Sequence, residues 1–204
     1  ATLKNEFDMK SVKAIYKIGK GPSSSHTMGP FKCVSNYIEN HPEATELYVT
    51  LYGSLAATGK GHLTDRAVLD ACGARKCTIG WEPKENLPVH PNGIIVAMVD
   101  ANGEHQDPWT YYSVGGGDII CIEHPIVEED TDEVYGMTTM EDILDWCNAN
   151  GRSFWEFVDE HEKNTPGFWE HIELVWKTMQ KAVERGIDEE GALPGPLNIR
   201  RKAG

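Results

Sequence analysis

Apolar positions along the chain alternate between two spacings, and each change of spacing marks an element. Residues 9–17 read as a short amphipathic entry segment. Beyond a Gly-, Pro- and Ser-dense stretch at residues 19–30, Phe31, Val34 and Ile38 recur at helical spacing. Pro30 fits only a first turn, so this helix is predicted to begin near residues 28–30, with the serine cluster at or just before its N-terminus. Residues 46–53, ELYVTLYG, alternate and are rich in β-formers, which predicts a strand. A small-residue loop, SLAATGKGH, follows. TDRAVLDAC then reads as a helix, with Thr64 or Asp65 near the N-cap and Gly73 as its stop.

After a Pro-rich crossing, WEPKENLPVHPNG, the run IIVAMVD is a strand, and Ala101-Asn102-Gly103 signals a hairpin. WTYYSVGGGDIICIE holds two more strands broken by three glycines, residues 115–117. The order helix–strand–helix–strand–strand–strand predicts an α+β fold with a mixed sheet. An acidic stretch at residues 128–133 changes the character, and three helices follow. The first has a capping box of Thr138 with Glu141 and stops at Asn150-Gly151. The second starts at Ser153 with Glu156. The third has Thr165 as N-cap and Pro166 at its first position, and ends before Gly186. Its Trp169, Ile172, Trp176, Met179 and Val183 form a stripe expected to face a core. The expected organisation is a domain at 1–127, a helical extension at 128–190 and a linker at 191–204.

Composition narrows the classes. With 40% hydrophobic and 25% charged residues, the 204-residue chain can build a core, so dominant disorder is excluded. The longest apolar run, residues 94–99, is too short for a bilayer span, and the first 13 residues lack an apolar h-region, so no signal peptide or membrane association is expected. A net charge of −13 argues against nucleic acid as a partner but leaves small anionic ligands open. Five cysteines, Cys33, Cys72, Cys77, Cys121 and Cys147, are odd in number and contain no C-x-x-C pair. They read as small buried hydrophobes in a reducing cytoplasm, with neither zinc nor iron–sulfur spacing.

GSLAATGKG departs from a phosphate loop: five residues separate Gly53 from Gly59, and Gly61 follows Lys60. No dinucleotide fingerprint, H-E-x-x-H or nucleophile elbow occurs. Three polar, glycine-rich loops remain: GPSSSHTMGP, YGSLAATGKGHLTD and YYSVGGGD. Ser23, Ser24, Ser25 and Thr27 at a helix start are suited to accept a carboxylate, and Lys60 to add charge. His26 and His62 are suited to move protons near neutral pH. Ser54, Thr58, Ser113, Gly115 and Gly116 complete the candidate binding set. Taken singly, the serines and threonines read equally as helix caps, and the glycines as a bulge and turn.

The segments GPSSSHTMGP, GSLAATGKGHLTD, HPNG and YSVGGG, in this order, resemble the bacterial iron–sulfur-dependent L-serine dehydratases (L-serine ammonia-lyases). The likeness is to their N-terminal β domain or β subunit, and runs from about Met9 to Ile122. One departure is Leu63, where the family usually has a small residue, so a slight displacement of the second loop is expected. The resemblance implies a fold like the allosteric substrate-binding domain of phosphoglycerate dehydrogenases, with helices on one face of the sheet. It also implies a catalytic α domain or α subunit holding a 4Fe-4S cluster, no cluster on this chain, and no activity from this chain alone. The implied reaction takes L-serine to pyruvate and ammonia in amino-acid degradation, feeding gluconeogenesis. Within it His26 and His62 would handle protons, and Ser24, Ser25, Thr27 and Lys60 would contact a carboxylate or the cluster's surroundings. A non-catalytic serine-binding or dimerisation module of the same enzyme is the competing reading, as is an unrelated α+β scaffold whose helical tail mediates assembly. Exposed loops also suggest a homodimer.

Overall fold

The computed structural model describes residues 9–126, 133–193 and 199–201. The acidic stretch lies outside the described residues up to residue 132, as do residues 194–198 and 202–204 of the expected linker. The chain forms two compact units, one of residues 1–18 with 128–186 and one of residues 19–127 with 187–204. The entry segment therefore belongs with the helices, whereas the sequence boundaries assign it to the sheet domain.

The entry segment of the helical unit contains strand β1 (Met9–Lys10) and a short 3-10 turn, Val12–Ala14. In the sheet unit a π-helical turn, Ser24–Met28, runs directly into α1 (Gly29–Asn40). There follow β2 (Glu46–Tyr52), α2 (Gly53–Thr58), α3 (Thr64–Cys72), β3 (Lys76–Glu82), β4 (Gly93–Val99), β5 (His105–Gly115) and β6 (Asp118–Cys121). The five strands lie in the order β3-β2-β4-β5-β6, with β2 and β3 parallel and the other pairs antiparallel.

Register follows the alternation of side chains. Leu47, Val49 and Leu51 sit opposite Cys77, Ile79 and Trp81 on one side, and opposite Met98, Val96 and Ile94 on the other. All therefore point to one face. Cys33, Val34 and Tyr37 of α1, Leu55 of α2, and Val68 and Cys72 of α3 complete the core on that face. Fully burying each large side chain there contributes about 1.5–3 kcal/mol.

The mixed α+β class holds, but two elements were not foreseen. Strand β3 occupies the stretch between Gly73 and the Pro-rich crossing, to which the sequence assigns no element, because Gly80 and flanking polar residues dilute its Cys77, Ile79, Trp81 alternation. The stretch expected to be a loop contains α2, which at six residues is too short to display a helical period. The observed order is thus α-β-α-α-β-β-β-β rather than α-β-α-β-β-β.

The helical unit adds β7 (Glu133–Tyr135), paired antiparallel with β1, then α4 (Met140–Asn150), α5 (Phe154–Glu162) and α6 (Phe168–Asp188) up to Gly186, the last two residues of α6 being grouped with the sheet unit. Tyr135, Cys147 and Phe157 centre its core, with Ile143 and Trp146 packed around them. Buried Glu162 accepts from Ser11 Oγ (2.8 Å), the Val12 amide (2.9 Å) and Tyr135 OH (2.7 Å), tying the entry segment to α5. The capping box at Ser153 and Glu156 forms as expected.

Three details correct the sequence reading. Helix α4 is capped by Thr139, whose Oγ1 accepts from the Asp142 amide, one residue beyond the expected Thr138 and Glu141. Helix α6 starts at Phe168, because Gly167 (φ 63°) interrupts the turn after Thr165, and it runs past Gly186 to Asp188. Its Trp169, Trp176, Met179 and Val183 are exposed, not packed in a core.

The tail also differs from a plain linker. A short antiparallel ladder joins β8 (Gly191–Ala192) to β9 (Arg200–Arg201). No helix among the described residues is long and apolar enough to cross a membrane.

Candidate active site

The candidate loops meet at one end of the sheet unit, and hydrogen bonds between them fix the meeting. Ser23 caps the π-helical turn: its Oγ accepts from the His26 amide at 3.2 Å, and its carbonyl accepts from the Thr27 and Met28 amides. This turn aims His26 sideways. His26 Nδ1 lies 2.9 Å from Ser25 Oγ, and its Nε2 lies 3.1 Å from Ser54 Oγ at the start of α2. The ring is therefore held at both nitrogens by hydroxyls, each able to donate or accept.

His62 comes from the turn between α2 and α3. Its ring centroid is 4.7 Å from that of His26, tilted by 37°. Its Nδ1 lies 3.1 Å from the Thr58 carbonyl, which can only accept, so in the neutral imidazole Nδ1 carries the proton. Nε2 is then a lone-pair acceptor, with no hydrogen-bond partner among the described residues. Partial burial, and then the nearby His62 ring, lower the pKa of His26 below its ordinary value. His26 is consequently neutral at neutral pH.

Two buried threonines bind these loops together. Thr27 Oγ1 donates to the His62 carbonyl at 2.9 Å, and Thr64 Oγ1 donates to the His26 carbonyl at 2.6 Å. Each hydroxyl from one loop thus satisfies the backbone of the other. Between them Leu63 adopts a left-handed conformation (φ 56°, ψ 35°), which costs a non-glycine residue about 1–3 kcal/mol. This strain falls at the position singled out as a departure from the expected small residue.

The crossing segment and the third loop close the other side. The Ser54 amide donates to the Pro91 carbonyl at 3.1 Å. Asn92 and Ser113 hold each other: Asn92 Nδ2 donates to the Ser113 carbonyl, and the Ser113 amide donates to the Asn92 carbonyl. Both side chains are buried, yet Asn92 Oδ1 and Ser113 Oγ have no hydrogen-bond partner. Ser113 Oγ faces Gly29 so closely that any Cβ there would collide with it. Gly29 is therefore a steric requirement where the first and third loops touch.

The remaining candidates are placed less centrally. Ser23 and Ser25 are half-buried and Ser24 is exposed, all on the front of the π-helical turn. Thr58 Oγ1 donates to the Ser54 carbonyl, so its proton serves α2. The Lys60 ammonium lies 5.7 Å from the centroid of the Trp81 ring, a cation–π position. Gly115 and Gly116, with φ of 109° and 59°, form the β5–β6 turn, which Lys32 Nζ anchors through the Gly117 carbonyl at 2.7 Å. Thr64 and Asn92 were not among the sequence candidates. Thr64 read as a helix cap, and Asn92 stood within HPNG, a segment quoted without an assigned chemistry.

The five cysteines do not gather into one set, although Cys72 and Cys77 share a side-chain hydrogen bond. Cys33, Cys72 and Cys121 are buried in the sheet-unit core, Cys77 is half-buried at its edge, and Cys147 lies in the other unit. Among the described residues, no three His, Cys, Asp or Glu side chains are disposed to hold a metal ion.

Comparison with known proteins gives a consistent result. The family described as the serine dehydratase beta chain matches residues 11–78 and 71–124. An L-serine dehydratase of Haemophilus influenzae is 34% identical over 96% of this chain and 53% of its own length. L-serine dehydratase 1 of Escherichia coli is 31% identical over 96% of this chain and 53% of its own length. An L-serine dehydratase of Streptomyces coelicolor is 30% identical over 95% and 53%, respectively. The chain spans about half the length of the curated relatives it matches.

Proposed function

Because the chain belongs to the serine dehydratase beta chain family, we propose that its loop cluster forms one wall of an L-serine dehydratase active site. The remaining wall comes from an α region, which corresponds to the half of the relatives that this chain does not cover. The reaction is a β-elimination. The α-proton leaves, the Cβ–O bond breaks, and water departs. The resulting aminoacrylate tautomerises to an imine, and hydrolysis of the imine gives pyruvate and ammonia.

The observation that carries this reading is the His26–His62 pair, with one ring nitrogen of His62 fixed and the other left as an acceptor. An imidazole nitrogen left as an acceptor in this way is positioned to act as a general base, a role worth about 10²–10⁴ in rate. His62 Nε2 takes the α-proton in this reading. Neutral His26, gripped by Ser25 and Ser54, orients His62 and carries protons between ring and hydroxyls. Ser23, Ser24 and Ser25 at the start of a long helical stretch receive the substrate carboxylate, where hydroxyls and the helix dipole favour an anion. Thr27 and Thr64 hold the two histidine loops in register.

An iron–sulfur cluster would be held by the α region and would there supply Lewis-acid chemistry for the leaving hydroxyl. The described residues do not fit it as a ligand set, since no three His, Cys, Asp or Glu side chains among them are disposed to hold a metal ion. Free thiols throughout suit a reducing cytoplasm.

The test is pyruvate formation from L-serine by the complete protein and by this chain alone. Turnover is expected only from the complete protein. Pyruvate from the chain alone, or none from a cluster-loaded complete protein, overturns the reading. Calorimetry of L-serine against the chain alone separates the regulatory alternative, which requires tight binding without turnover.

A further inference from the structure

The short loop between α3 and β3 folds two thiols onto each other. Cys72 is the last residue of α3, and the Arg75 amide donates to the Cys72 carbonyl at 3.2 Å, so the chain reverses directly after the helix. Cys77 then stands second in β3, opposite Leu47 of β2, whose side chain is buried in the core that Cys72 also joins. Strand alternation points the Cys77 side chain to that same face. There the Cys72 thiol donates a hydrogen bond to the Cys77 sulfur. Cys72 is only 1% exposed, whereas Cys77 is half-buried on a strand at the edge of the sheet. The bond from Cys72 holds the Cys77 thiol below its ordinary range against an opposing burial effect. The same bond, and then burial, push Cys72 up. Cys77 is therefore the thiol that ionises and reacts first.

We propose that Cys72 and Cys77 form an oxidation-sensitive dithiol, in which a peroxide oxidises Cys77 and Cys72 then closes an intrachain disulfide. The Cys77 thiolate attacks one oxygen of hydrogen peroxide. An S–O bond forms, the O–O bond breaks, and the hydroxide released takes the proton of the Cys72 thiol. The Cys72 sulfur attacks the Cys77 sulfur, the S–S bond forms, the S–O bond breaks, and the departing hydroxide takes up the proton first lost by Cys77. Two thiols and one peroxide thus give one disulfide and two waters, and two molecules of a small thiol reverse the change by leaving as their own disulfide. Arg75, whose Nε donates to the Ala44 carbonyl at 2.9 Å, places positive charge where it favours the Cys72 thiolate in the second step. Gly73 has open space where a Cβ would stand, so the loop can follow as the sulfurs close to a bond of about 2.05 Å. Cys33, Cys121 and Cys147 are buried in the two cores, away from an aqueous oxidant.

No residue of the loop cluster takes part, so the inference stands apart from the proposed catalysis. The test treats the whole chain with hydrogen peroxide, alkylates it and digests it with trypsin without reduction. Cleavage after Arg66, Arg75, Lys76 and Lys84 puts Cys72 in residues 67–75 and Cys77 in residues 77–84, so these peptides travel together only through a disulfide. The linked pair is expected, lighter than the two free peptides by two hydrogens and separated by dithiothreitol. Without oxidant, iodoacetamide should label Cys77 at least about tenfold faster than any other cysteine of the folded chain. In Cys72→Ser, Cys77 should halt as a sulfenic acid that dimedone traps, whereas in Cys77→Ser, Cys72 should stay reduced. The two measurements on the parent chain do not depend on either variant folding. Absence of the linked pair, a disulfide joining other cysteines in its place, labelling of Cys77 no faster than the rest, or a dimedone adduct on Cys72 in Cys77→Ser overturns the proposal.

Discussion

Replacing Ser113 by alanine should stabilise the sheet unit. Ser113 Oγ is fully buried, has no hydrogen-bond partner and lies against Gly29. A buried polar group without a partner costs about 1–3 kcal/mol. Deleting that one atom gives up only a few dispersion contacts, each worth about 0.1–0.2 kcal/mol. The net expectation is a gain of about 1 kcal/mol, which in a chain of this length raises Tm by about 2–4 °C. With two compact units in the chain, the readout must belong to the sheet unit, and native-state exchange of the β4 and β5 amides provides it. A loss of more than about 1 kcal/mol would refute the reasoning, because it would show that the hydroxyl has a native partner such as a buried water.

Three further outcomes are expected. The depressed pKa of His26 means that the unfolded chain takes up its proton first as pH falls below the ordinary histidine value. Stability should therefore decline with acidification through that window, and His26→Gln should flatten the decline in urea midpoints measured from pH 7 to 5. Glu162, held low by hydrogen bonds from Tyr135, Thr165, Ser11 and the Val12 amide against an opposing burial effect, stabilises the helical unit above the ordinary carboxylate range. Glu162→Gln should cost that unit about 1–3 kcal/mol at pH 7 in thermal unfolding. Thr139→Ala should cost about 1 kcal/mol through the lost α4 cap, whereas Thr138→Ala should stay within about 0.5 kcal/mol; equal effects would contradict the observed cap.

Elements with a full period or a complete stop signal were legible in the sequence. Helix α1 follows from Pro30 and the Phe31, Val34, Ile38 spacing, and the β4–β5 hairpin from Ala101-Asn102-Gly103. The end of α4 follows from Gly151, which adopts the expected left-handed conformation. Strand β3 and helix α2 were hidden for opposite reasons: one has its alternation diluted by glycine and polar residues, and the other is too short to repeat. The stripe on α6 was legible as a stripe, but a hydrophobic period does not say whether its partner is in the same chain. At the site, both histidines and the serine cluster were visible by residue type. Thr64 and Asn92 were not, because their roles consist of long-range bonds to His26 and Ser113 that no local pattern encodes.

The most direct measurement is the steady-state kinetics of the complete protein carrying His62→Gln. A base at His62 Nε2 predicts a fall in kcat of about 10²–10⁴ with a much smaller change in KM. Turnover within about threefold of the parent would show that the α-proton goes elsewhere.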